Sequence, residues 1–210
     1  MKSTTTLLVL MILLTSHSLF GQTKIGLTGG VAFANVTAKL QGISISPKLK
    51  AGFTAGLFAD FALSSNFSFQ PAFNFVQKGY NEKDETSTDK VSYSYVEVPL
   101  NFIYNSKGFF IGAGPSMAFG LSGKEKYVDK IDPTYSKNTK IKFGSGDEQI
   151  KRFELGANVL TGYKFSNGFM FSVNYNLGLS NIQNGNTSEV GTIKNRYFAI
   201  KIGFLVSGNK

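Results

Sequence analysis

Large apolar and small polar residues alternate along residues 152–182. Phe153 and Leu155 lead one face, on which apolar residues recur at every second position, whereas Glu154 and Asn158 lie on the other face. A period of two is that of a β-strand. The same division resumes after a short turn at residues 166–168. The stretch therefore predicts a β-hairpin with one large apolar face and one small polar face.

Six further segments alternate in the same way, at residues 24–33, 52–61, 67–76, 93–104, 109–121 and 197–206. Short turns are predicted at residues 64–66, 105–108 and 166–168, and longer loops at residues 37–50, 81–90, 122–150 and 183–194. Alternating short and long connections are typical of transmembrane barrels, whose tight turns face the periplasm. The pattern predicts an all-β fold, an eight-stranded antiparallel up-and-down transmembrane β-barrel. Pro71 is expected at a bulge, because proline cannot donate to a ladder.

Alternation alone leaves a soluble barrel as the competing interpretation, because both kinds of barrel divide apolar from polar residues with period two. The composition of the polar face favours the membrane. It consists mostly of Gly, Ala, Ser, Thr and Asn, which fill a narrow lumen, whereas a surface facing water would carry many charges. Aromatic residues near the short turns predict an interfacial girdle: Tyr104, Phe109, Tyr163, Phe165 and Phe169.

The first 21 residues are predicted to be a cleaved signal peptide, with the barrel domain spanning residues 22–210. Lys2 precedes an apolar run that ends in small residues before Gln22, which is the pattern of a secretory signal. A transmembrane anchor would need about 20 apolar residues, and the run is interrupted from Ser16 onward. Cleavage near Gly21 would remove His17, the one histidine, and the chain has no cysteine.

The formal net charge of +9 is compatible with two kinds of anionic partner, nucleic acid and lipid headgroups. The basic residues are spread over loops and strand ends and are not stacked on one face, so no nucleic-acid partner is predicted. Attraction to anionic headgroups suits an exported chain better. The expected partners are outer-membrane lipid and lipopolysaccharide.

Five charged residues are predicted on the inward face of the barrel: Asp60, Glu97, Arg152, Glu154 and Lys201. Paired carboxylates can perform acid and base chemistry, but a filled lumen admits no sugar substrate. The favoured interpretation is a structural ion-pair network, in which Glu97 and Glu154 share Arg152. No catalytic, cofactor or metal site is predicted, because the mature chain lacks a histidine base and its loop acids lack calcium-loop spacing.

Three strand phrases resemble those of the PorT-like outer-membrane β-barrel family of Gram-negative bacteria. They are YVEVPLNF at residues 95–102, FELGANVLTGYKF at residues 153–165 and YNLGLSNI at residues 175–182, preceded by residues 67–80. The resemblance implies an eight-stranded outer-membrane barrel, and the family's namesake is associated with type IX protein secretion. One departure is the C-terminus, where four residues, Ser-Gly-Asn-Lys, follow the last strand without the usual terminal aromatic.

The expected function is that of a non-enzymatic integral outer-membrane protein, a scaffold that contacts a protein partner of a secretion or envelope complex. Residues 122–150 form the longest predicted loop and are the expected contact surface, because loops on a rigid scaffold carry function. Two alternatives are a narrow channel for ions or small solutes and a soluble lipocalin-like barrel that binds a hydrophobic ligand.

Overall fold

The computed structural model describes residues 23–40, 43–146, 149–185 and 191–206. The predicted signal peptide and its cleavage site lie outside this part of the chain. The described residues form ten strands: β1 Lys24–Leu40, β2 Ile43–Ile45, β3 Lys50–Ala62, β4 Phe67–Lys83, β5 Ser87–Ser106, β6 Phe109–Asp129, β7 Lys137–Ile141, β8 Phe153–Lys164, β9 Phe169–Gly178 and β10 Thr192–Val206. A 3₁₀ turn, Pro133–Tyr135, precedes β7.

The strands close into an antiparallel ring. Each long strand pairs with its neighbour in chain order, and β10 returns to pair with β1 from Ile25 opposite Val206 to Lys39 opposite Thr192. The short strands stand outside this circuit, since β2 pairs with β1 and β7 pairs with β6. Closure leaves no strand edge in the circuit without a partner, as a sheet in lipid requires. The predicted antiparallel up-and-down topology is confirmed, although eight strands were expected and ten are described.

The strands extend further than the sequence pattern predicted at the end where the long connections lie. The predicted loop at residues 81–90 is mostly paired, because β4 continues to Lys83 and β5 begins at Ser87. Similarly, β6 runs to Asp129 and pairs with β7. Most outward positions of these extensions are polar, so the contrast between the two faces on which the prediction depended is lost there.

The opposite end has tight turns, as the sequence predicted. Between β5 and β6, Lys107 and Gly108 have positive φ angles of 46° and 89°, a pair suited to the twist of a two-residue hairpin. Four side chains of the predicted girdle lie near these turns and are exposed: Tyr104, Phe109, Phe165 and Phe169. Tyr163 packs edge-on against Phe109 and Phe165.

The distribution of polarity is the reverse of that in a water-soluble protein. Large apolar side chains face outward, with Phe102 60% exposed and Ile202 69% exposed, while Asn101 and Asn158 are buried. Two apolar clusters share the interior with these polar groups. Within the described residues, no helix is long and apolar enough to cross a membrane. The strands therefore bury polar groups in the barrel and expose apolar ones around it, as expected for contact with lipid.

Pro71 is not at a bulge. The β3–β4 pairing keeps one register on both sides of it, from Phe58 opposite Ala72 to Phe61 opposite Phe69, with an unpaired interval between. On its other side Pro71 pairs with Leu100 of β5. The missing N–H is therefore accommodated by a local gap in the ladder, without an inserted residue.

Candidate functional site

A buried ammonium group joins two buried carboxylates inside the barrel. Lys78 of β4 lies between Glu97 of β5 and Glu154 of β8, with its Nζ 2.9 Å from Glu97 Oε2 and 3.1 Å from Glu154 Oε1. All three side chains are 1% exposed. Charges so deeply buried are tolerated only when they are paired and hydrogen-bonded. The triad therefore depends on the closed ring, which brings together residues far apart in the sequence.

Neutral donors satisfy the remaining carboxylate oxygens. Asn195 Nδ2 donates to Glu154 Oε2 at 2.7 Å, and the Tyr197 hydroxyl donates to Glu97 Oε1. Asn176 Nδ2 approaches Glu97 Oε1 at 3.4 Å and donates to Ser116 Oγ at 2.8 Å. These bonds connect the triad to β6, β9 and β10. The charged centre thereby ties strands from both halves of the ring across the lumen.

Aromatic rings enclose the ammonium group. Lys78 Nζ lies 4.9 Å from the centre of the Tyr95 ring and 5.3 Å from that of the Tyr197 ring. The faces of such rings carry negative potential, which attracts a cation. The lysine is therefore held by two carboxylates and two rings, and the lumen around it is filled.

A folded loop closes the barrel at the long-connection end. Phe143, 8% exposed, packs edge-on against Tyr93 and Tyr95 inside the ring. Gly120 provides the space, because a Cβ there would lie 2.3 Å from a Phe143 ring atom. Asn184 stabilises the loop because its Nδ2 shares two N–H groups among three carbonyl oxygens 2.9–3.1 Å away, those of Gly144, Gly146 and Gln149. The described part of residues 142–151 thus forms a plug over the charge network.

The prediction that Arg152 joins Glu97 and Glu154 is wrong, because Lys78 is the joining cation. β8 begins at Phe153, so its alternation does not extend to Arg152. The Arg152 guanidinium donates to the Phe143 carbonyl at 3.0 Å and lies 5.4 Å from the Phe119 ring centre. Arg152 therefore belongs to the wall beside the plug.

The other predicted residues lie apart from the triad. Asp60 pairs with Lys164 at 2.7 Å beside the short turns, where Lys164 also donates to Asn105. Lys201 is buried and lines a cavity of about 30 Å³, but it forms no ion pair within the described residues. Of the five predicted inward charges, the structure brings only Glu97 and Glu154 into one cluster.

Sequence reasoning missed Lys78 and Phe143 for different reasons. The alternation of β4 continues past Val76 and places Lys78 on the inward face, so extending the strand by two positions would have found it. Phe143 lies in an irregular segment, where no period indicates which way a side chain points.

Acids in the outer loops are satisfied by their own turns. Asp84 accepts from the Ser87 hydroxyl and from the backbone N–H groups of Ser87 and Thr86, and these bonds lower its pKa to about 2. Hydrogen bonds from Thr134 likewise lower the pKa of Asp132. Within the described residues, no group of three or more acidic or histidine side chains is arranged to hold a metal ion.

A closed antiparallel ring with an apolar exterior and a polar, ion-paired interior defines an integral membrane β-barrel. The family model described as outer membrane protein beta-barrel domain matches residues 16–184 of the chain. The chain belongs to this family and is an integral outer-membrane protein.

Several solved outer-membrane proteins are similar to the chain. Ail, the attachment invasion locus protein of Yersinia pestis, is 14% identical with a TM-score of 0.44, over 88% of this chain and 99% of Ail. Neisserial surface protein A is 11% identical with a TM-score of 0.47, over 86% and 96%. OprG of Pseudomonas aeruginosa is 9% identical with a TM-score of 0.35, over 89% and 97%. No curated protein matches the chain in sequence.

Proposed function

We propose that this protein is a non-enzymatic outer-membrane scaffold with a closed lumen, which acts through contacts made at its outer end. Export by the signal peptide at residues 1–21 forms part of the proposal. Membership of the PorT-like group is also part of the proposal. This resemblance implies a partner in an envelope complex, such as the type IX secretion system.

The observation that carries the proposal is the filled interior. Lys78, Glu97 and Glu154 occupy the lumen, and Phe143 covers them from the outer side. Each carboxylate is already bound by an ammonium group and by neutral donors, so neither is free to act as an acid or base on a substrate. A solute path would require the plug to leave and the network to separate.

The outer loop offers a contact surface beyond the plug. Ile131 and Tyr135 are 76% and 70% exposed at the 3₁₀ turn between β6 and β7. Asp132 caps this turn by accepting from Thr134. An exposed tyrosine beside an exposed isoleucine on a capped turn suits recognition by another protein, because tyrosine is enriched among the residues that contribute most to binding at interfaces.

Planar-bilayer recording tests the closed lumen. The refolded mature chain should show no steady conductance. Phe143→Ala, which removes the plug ring, is recorded beside it as the variant in which a conducting path would open most easily. Steady openings by the unmodified protein would refute the closed scaffold and support the narrow-channel alternative.

Photo-cross-linking in cells tests the contact surface. A cross-linker at Ile131 should capture one defined envelope protein, whereas one at Lys107 in a short turn at the other end should not. Equal capture from both positions, or none from Ile131, would contradict an outer-loop partner. Capture of a component of the type IX machinery would support the link implied by the resemblance.

A further inference from the structure

Lysines line the outward side of three neighbouring strands beyond the apolar part of the barrel. Lys90 of β5 lies directly opposite Lys126 of β6, and Lys124 of β6 lies directly opposite Lys140 of β7. All four side chains are exposed. Like charges placed directly across a ladder destabilise a sheet. Two adjacent pairs of this kind are therefore an arrangement that an anionic ligand would stabilise.

A β-bulge directs the lysines of β6 outward. The β5–β6 register shifts between Ser94 and Tyr95, which leaves Leu121 as an extra residue on β6. Before the shift the odd-numbered residues of β6 face outward, and after it Lys124 and Lys126 do so. A bulge redirects the side chains that follow it. Without it, these two lysines would point into the barrel mouth.

The lysines surround a defined groove. Its volume is about 500 Å³, and its lining also includes Ser92 of β5 and Lys50 of β3. Lys50 Nζ donates to the Ala51 carbonyl, 3.4 Å away. Among the described lining residues Glu125 is the one carboxylate, set against five lysines. Within the described residues none of these lysines pairs with a carboxylate inside 4.0 Å.

The groove adjoins the lipid-facing surface. On β6 the exposed apolar side chains end at Phe119 and Leu121, and Lys124 follows three residues later. Three residues of strand span about 10 Å, and less in height because barrel strands tilt. The lysines thus lie just beyond the apolar belt, on the side with the long connections, where lipid headgroups of the outer leaflet are found.

We propose that this groove binds phosphate groups on a lipid of the outer leaflet, the chemistry that lipopolysaccharide presents. Acyl chains would lie along Phe119 and Leu121, while the phosphates would accept charge-assisted hydrogen bonds from the lysine ammonium groups. The lateral position of the groove beside the apolar belt favours a lipid over a soluble polyanion. The proposal rests on the outer-membrane location and does not require the closed-scaffold role.

The test uses the mature chain, refolded in detergent, and three probes: lipid A carrying its phosphates, the same lipid A after phosphatase treatment, and inorganic phosphate. Binding is measured by native mass spectrometry. The variant removes four charges through Lys90→Gln, Lys124→Gln, Lys126→Gln and Lys140→Gln. Each lysine near an anionic surface contributes about fivefold to affinity, so the variant that lacks four of them should bind phosphorylated lipid A about 600-fold more weakly.

A matched variant removes four lysines outside the groove: Lys83, Lys107, Lys137 and Lys142, each replaced by Gln. It should keep the affinity for phosphorylated lipid A within about threefold, because the lost charges do not line the groove. Both variants should retain heat-dependent gel mobility, which shows that the barrel is folded. The unmodified protein should bind phosphatase-treated lipid A and inorganic phosphate far more weakly than phosphorylated lipid A.

Three results would overturn the assignment. The first is equal binding of phosphorylated and phosphatase-treated lipid A by the unmodified protein. The second is equal loss of affinity in both quadruple variants, which would indicate net charge and not the groove. The third is displacement of lipid A by inorganic phosphate at equal concentration. Channel recordings and cross-linking at Ile131 do not depend on these lysines, so failure here would leave the scaffold proposal standing.

Discussion

Removal of the buried cation should destabilise the barrel strongly. Lys78→Met keeps most of the apolar stem but leaves Glu97 and Glu154, each 1% exposed, without the ammonium group that lies 2.9 and 3.1 Å away. Removing one partner of a buried ion pair costs about 3–5 kcal/mol, because the charge that remains has lost both water and its counter-ion. With an m-value of about 2 kcal/mol per M, the midpoint of urea unfolding should fall by about 1.5–2.5 M.

The chain has no tryptophan, so unfolding in lipid vesicles is best followed by circular dichroism and by heat-dependent gel mobility. The informative control is the triple variant Lys78→Met, Glu97→Gln, Glu154→Gln. The triple variant leaves no unpaired buried charge, and it is the unpaired charge that makes removal of a single partner costly. Much of the lost stability should therefore return in the triple variant.

Two results would refute this reasoning. A midpoint for Lys78→Met within about 0.5 M of the unmodified protein would mean that the carboxylates do not need the cation, at the same m-value. A triple variant as unstable as the single variant would mean that the stem of Lys78, and not its charge, stabilises the barrel.

Three further predictions concern the two ends of the barrel. Lys164→Met should lower the unfolding midpoint by less than Lys78→Met. The Lys164 and Asp60 side chains are 16% and 10% exposed, so water can solvate the carboxylate that remains. An equal fall in the two variants would contradict this ranking. Gly120→Ala should force Phe143 out of the lumen and so speed tryptic cleavage after Lys142. Gly146→Ala is the control and should leave cleavage unchanged, because its added Cβ meets only the flexible Gln149 side chain. Unchanged cleavage in both variants would argue against the plug. Folding lowers the pKa of Asp84 from 3.8 to about 2. Its turn should therefore be fully stabilised above about pH 4 and lose that stabilisation as the pH falls through 2. The Ser87 amide resonance, recorded as a function of pH, measures this loss. Ser87→Ala removes one hydroxyl donor and should raise the pKa of Asp84 towards 3.8. An unchanged pKa would assign the shift to the backbone donors and the Thr86 hydroxyl.

The barrel was predictable because its cause is local. A strand between lipid and a narrow lumen must alternate large apolar with small polar residues, and that period is visible in every long strand. Tight turns were visible for a similar reason, since Gly108 and Gly168 adopt positive φ angles where the chain reverses. The ends of the strands were missed wherever the outward side chains become polar, as in residues 81–90.

The charge network was only partly predictable. Glu97 and Glu154 were placed inside by parity, but their counter-ion depends on which strands face each other across the lumen. Lys78 and Glu154 are 76 residues apart in the sequence and 3.1 Å apart in space. Arg152 was predicted as the counter-ion because it is close to Glu154 in the sequence. It precedes the first residue of β8, however, so the alternation of that strand does not place its side chain in the lumen.

The sequence by itself determined the period, the polarity of the two faces and the tight turns, because each depends on neighbouring residues and on the solvent around them. Only the tertiary structure decided that the ring closes β1 onto β10, that Lys78 neutralises two carboxylates, and that Phe143 covers them. It also decided that four lysines from three strands share one outward groove. These features depend on register and on a single inserted residue, and both are set by packing across the sheet.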